Sequence, residues 1–171
     1  MKLEKIDKQN YLLPSLKWES VTLYSMYALS VLVALVIGKP QLLVGSVVNF
    51  LIVYSTLQYG IKKTLPILIL PSLTATVTGL LFGGATYFLL YLTPFIILSN
   101  AILSYFVSKK SNLNFVLAIL SKGFFLVAVY WLLTHLIGLP TLFLTSSYLQ
   151  FITATIGGLI GLGLYDYSQR K

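Results

Sequence analysis

Six apolar runs alternate along this chain with short segments rich in Lys, Gly and Pro. About 20 apolar residues at roughly 1.5 Å each cross a hydrocarbon core about 30 Å thick. The pattern therefore predicts six transmembrane helices, over Glu19 to Ile37, Gln41 to Tyr59, Leu65 to Phe82, Thr86 to Ser108, the run from Asn114 to Gly138, and Thr145 to Tyr165. Pro40 suits the start of the second helix. In the third, Pro71 removes a backbone donor, frees the carbonyl of Ile67 and predicts a kink. Pro94 does the same to Leu90 in the fourth. Gly79 and Gly83 read as a small-xxx-small pair that lets two helices approach closely.

The polar positions inside these runs fall into stripes. Ser46, Asn49 and Thr56 share a face of the second helix. Thr93, Asn100 and Ser104 repeat along the fourth, and Ser146, Gln150, Thr153, Gly157 and Gly161 along the sixth. The fifth run carries the least expected residue, Lys122. A lysine at that depth costs on the order of 3 kcal/mol on insertion scales, so it should face the bundle interior and find a partner. Two roles are open to it: counter-ion for a bound anionic group, or a pin that bonds neighbouring helices.

Composition narrows the class. The 171 residues are 57% hydrophobic and only 9% charged, against roughly 25% charged in soluble domains. The predicted fold class is an all-α integral membrane protein, with residues 1–171 as a single transmembrane domain. Residues 1–18 form a basic N-terminal segment, with Trp18 as an interfacial anchor. No small-residue cleavage site follows the first apolar run, which is read as a retained helix and not as a signal peptide. A short surface helix between Lys8 and Lys17 is weakly signalled.

The formal charge of +8 does not point to nucleic acid, because the basic residues lie at helix ends. They point to topology instead. Across six helices Lys2, Lys5, Lys8, Lys17, Lys62, Lys63, Lys109, Lys110, Arg170 and Lys171 share one side, and Lys39 stands on the other. By the positive-inside rule both termini are cytoplasmic in the cell membrane.

Catalytic patterns are missing from the sequence. The four acidic residues, Glu4, Asp7, Glu19 and Asp166, lie at or near cytoplasmic helix ends. No carboxylate pair can therefore do acid and base work inside the membrane. GxSxG, HExxH and phosphate-loop patterns do not occur. A single histidine and no cysteine leave nothing to complete a transition-metal site, and no cofactor is implied. His135 reads as an interfacial residue. The expectation is a binding subunit and not an enzyme. With the topology above, Asn100 and Lys122 fall at similar depth, Asn49 near the centre and Gln150 somewhat outward. Pointed at a common interior, they make a pocket with one positive charge, amide groups, and aromatic walls from Tyr91, Phe124, Phe125 and Trp131. Asn49 and Gln150 can equally be interhelical glue.

The segments GSVVNFLIVYSTLQYG with Asn49, LPSLTATVTGLLFG, TPFIILSNAIL with Asn100, LAILSKGFFL with Lys122, and YLQFITATIGGLIG with Gln150 carry a resemblance. In order and spacing they resemble the substrate-binding S components of energy-coupling factor (ECF) transporters, over most of the chain. The resemblance implies a six-helix bundle that captures a vitamin or other micronutrient from outside. It also implies a membrane coupling subunit and two ATPase subunits as partners in the lipid bilayer. Members commonly meet the coupling subunit through small residues of the first helix, for which Ser30 and Ala34 are the nearest match here. Gly157 and Gly161 are a further candidate docking face. Short outer loops favour a small ligand.

Overall fold

A computed structural model describes residues 18–37, 40–81 and 83–170. The readings placed on residues 1–17, Lys39, Phe82 and Lys171 lie outside them. Among the described residues the fold is all-helical, with no strand. Helix α1 (Trp18–Leu32) widens at its end into a π-helical turn, Val33–Ile37. It is followed by α2 (Gln41–Tyr59) and α3 (Ile61–Thr78). A 3-10 turn over Gly83–Phe88 leads into α4 (Leu89–Val107), then α5 (Asn112–Ile137) and α6 (Thr141–Gln169). Trp18–Ile37, Gln41–Tyr59, Gly83–Val107, Asn112–Ile137 and Thr141–Gln169 are long and apolar enough to cross a membrane. The 18-residue α3 falls short of that measure, because Lys62, Lys63, two prolines and several hydroxyl residues dilute it.

Helix α3 also shifts four residues from its expected span. Gly60, at φ 81°, breaks the chain before Ile61, so both lysines belong to the first turn of the helix and not to a loop. Gly79 ends it in the left-handed region at φ 70°, its N–H bonded to Ala75 O. With Gly83 at φ 58°, the two glycines are turn residues, which corrects their reading as a helix-packing pair.

The core is divided in two. Leu51, Ile67, Leu103 and Ala118 belong to one apolar cluster, on the side of the bundle that carries Lys63 and Lys110. Ala75, Leu92, Leu126 and Phe143 belong to the other, toward the opposite end. Asn100 and Lys122 sit between them on their helices.

Helices α2 and α6 form the closest pair. A Cβ on Gly157 would strike the backbone carbonyl oxygen of Ser46, and one on Gly161 would lie 3.0 Å from Phe50 O. This glycine face is used up inside the bundle, which corrects its reading as a docking surface for another chain. Ser30 and Ala34 are corrected for the same reason. At 0% and 3% exposure they share the inward face of α1 with Leu23 and Met26, and the Ser30 hydroxyl donates to Tyr27 O at 2.7 Å.

Candidate functional site

Lys122 is 2% exposed and meets two helices at once. Its Nζ donates to Asn49 Oδ1 on α2 at 2.6 Å and to Asn100 Oδ1 on α4 at 2.7 Å. Each asparagine is fixed in turn. Asn49 Nδ2 donates to Thr153 Oγ1 on α6 at 3.2 Å, and Asn100 Nδ2 donates to Leu68 O on α3 at 3.0 Å. The asparagines thus turn their oxygens to the amine because their amide nitrogens are held from behind.

The acceptor for Asn100 lies about one turn before Pro71. The bonded carbonyl is that of Leu68, one residue beyond the Ile67 carbonyl expected from the missing donor. The same offset recurs at Pro66, where Tyr27 OH donates to Lys63 O. At each proline of α3 a neighbouring helix donates to the carbonyl three residues back. The polar stripe of α4 is satisfied throughout: Thr93 pairs with Thr76 at 2.7 Å and Ser104 with Thr56 at 2.8 Å. Five helices, α2 to α6, are therefore tied to one polar layer.

A cavity of about 90 Å³ lies against this layer, and Lys122, Asn49, Asn100 and Gln150 all line it. It reaches from Lys122 to Gln41 at the start of α2 and to Leu81 and Leu89 beside the 3-10 turn. From Asn49 to Gln41 is about 12 Å at roughly 1.5 Å per residue. Val44, Ala75, Leu81 and Leu89 form an apolar collar between floor and mouth.

Gln41 and Ser72, which the sequence reading missed, also line the cavity. Among the described residues the side chains of Gln41, Ser72 and Gln150 make no hydrogen bond, so three polar groups with open capacity face the space. A protonated amine has three donors, and the described residues accept two from Lys122. Among the described residues no acidic side chain lines the cavity. Glu19 is paired with Lys63 at 3.0 Å, and Asp166 is on the last turns of α6.

The aromatic walls are not there. Tyr91 is 45% exposed, its hydroxyl 3.1 Å from that of Tyr87, and Trp131 is 55% exposed and lies tilted against His135 at 4.3 Å between centroids. Phe124 is exposed too. Phe125 packs against the apolar cluster around Leu126 and does not line the cavity. Among the described residues no group of histidine and acidic side chains is placed to hold a metal ion. No protein-family model matches the chain, and neither a curated protein nor a solved structure matches it significantly.

Proposed function

We propose that this chain is the substrate-capture subunit of an ECF-type micronutrient transporter, a six-span membrane protein with both termini cytoplasmic. It takes a small anionic or strongly polar ligand onto Lys122. The observation that carries the reading is an amine held at the floor of a cavity by two amide oxygens, with no acidic side chain beside it among the described residues. A buried cation without a counter-charge is expensive, and an entering anion offsets that cost. Gln150, Ser72 and Gln41 offer the polar contacts that fix orientation. Energy for uptake then comes from a coupling subunit and two ATPase subunits on other chains. Since Ser30, Ala34, Gly157 and Gly161 are buried, the coupling subunit meets a different surface of the bundle.

A second reading is favoured by the same bonds. Lys122 joins α2, α4 and α5, which suits a pin in a structural or assembly subunit of a larger membrane complex. The test that separates them is a thermal-shift screen of the purified protein against vitamins, their precursors and related acids. A ligand at a hundred times its Kd adds about 2.7 kcal/mol to apparent stability. The capture reading expects a hit that Lys122→Met abolishes in protein that still purifies as a folded species. A flat screen, with Lys122→Met harming only the fold, would leave the pin.

A further inference from the structure

The cavity is specific about size and charge, and both narrow the ligand. An apolar cavity of about 150 Å³ takes up benzene, and a water occupies about 30 Å³ of liquid. The 90 Å³ here is smaller than that benzene-sized space and matches an acid with a short chain.

Charge restricts it further. Among the described residues Lys122 is the sole charged one lining the cavity, and none of them is acidic to receive an ammonium. A dianion would place an unpaired negative charge against Val44, Leu81 and Leu89, and a zwitterion an unpaired positive one. Either is disfavoured in an apolar collar. An inorganic monoanion meets the charge condition but leaves that collar without an apolar partner.

We infer that the ligand is a compact univalent carboxylate of about two to four carbons, its carboxylate on Lys122 Nζ and its apolar chain directed toward Gln41. This rests on the capture reading and adds the substrate class to it. Gln150 and Ser72, with donors to spare, also line the cavity and are available to the carboxylate.

The full-length protein in detergent is titrated calorimetrically with propionate, butyrate, hexanoate, benzoate, succinate, alanine and propionamide. Propionate and butyrate are expected to bind at least tenfold more tightly than the other five, and Lys122→Met to remove their binding. Because Lys122→Met removes a structural bond as well, Val44→Ala serves as a second variant. By enlarging the collar it moves the optimum toward longer acids. Equal or tighter binding of succinate or alanine overturns the charge class. Lys122-dependent binding of benzoate or of a ring-bearing micronutrient above propionate overturns the size class and leaves the capture reading standing. If neither this series nor the micronutrient screen gives any binding, both fall.

Discussion

A lysine buried in a membrane bundle is stable only as well as its acceptors are placed, and here the two acceptors are unequal. Asn49 Nδ2 relies on Thr153 Oγ1, a hydroxyl that also bonds Gln150 O at 3.3 Å. Asn100 Nδ2 serves a backbone carbonyl of α3, which has no second side-chain donor among the described residues. Asn49→Leu leaves Lys122 one acceptor short, while Asn100→Leu does so and strips the Leu68 carbonyl too. Interhelical bonds of this kind contribute about 0.6 kcal/mol on average and up to about 1.7. Thermal unfolding in detergent should place Asn100→Leu below Asn49→Leu by about 1 kcal/mol, and equal losses would show that the Leu68 contact contributes nothing. The polar members of this site were legible because Lys, Asn and Gln in lipid are expensive, so inward direction follows from residue type, and depth from position along each apolar run. Tyr91 and Trp131 carried no such signal, since aromatic rings are tolerated on the outer face of a bundle. Gln41, at a helix start, and Ser72, beside Pro71, lay off the polar stripes read from the sequence.

Among the helices, the α2–α6 contact is set by what the glycines lack. A methyl on Gly157 meets the Ser46 carbonyl and the Phe50 amide, both fixed backbone. On Gly123 it meets the ring of Phe151, a side chain that can swing aside, and on Gly163 it meets nothing within 4 Å. Overpacking of a tight contact costs about 1–3 kcal/mol. Gly157→Ala is expected near or above the top of that range, Gly123→Ala at the lower end, and Gly163→Ala close to neutral. Unfolding measurements in detergent that reversed the first and third would refute this packing. Since Asn49 lies on the same face, Gly157→Ala should also weaken any ligand held at Lys122. The helices themselves were largely legible: Gln41–Tyr59 is as the apolar run predicts, and α5 differs from its run by two residues at the start and one at the end. Helix α3 was misplaced because lysine was taken to end an apolar run, whereas the backbone breaks at Gly60 and Gly79, where φ is positive. The spacing Gly79-x-x-x-Gly83 imitates a packing motif, and only the backbone angles reveal two turns.

For the bundle as a whole, the distribution of charge and the position of the cavity bear on one another. Among the described residues Lys62, Lys63, Lys109, Lys110 and Arg170 all stand at the end where α2, α4 and α6 finish. Gln41, at the mouth of the cavity, and Leu81 and Leu89 of its collar stand at the end where α2 and α4 begin. If basic residues face the cytoplasm, the mouth faces outward, as a capture subunit requires. The chain contains no cysteine, so single cysteines report the orientation without background. Gly84→Cys, at a turn where a side chain meets nothing within 4 Å, should react with a membrane-impermeant maleimide in intact cells. Ser111→Cys, exposed beside Lys110, should react only after the membrane is opened. The opposite pattern would put the mouth in the cytoplasm, where an importer would release its ligand and not find it. The capture reading would then fail on geometry alone, even with a ligand bound tightly at Lys122.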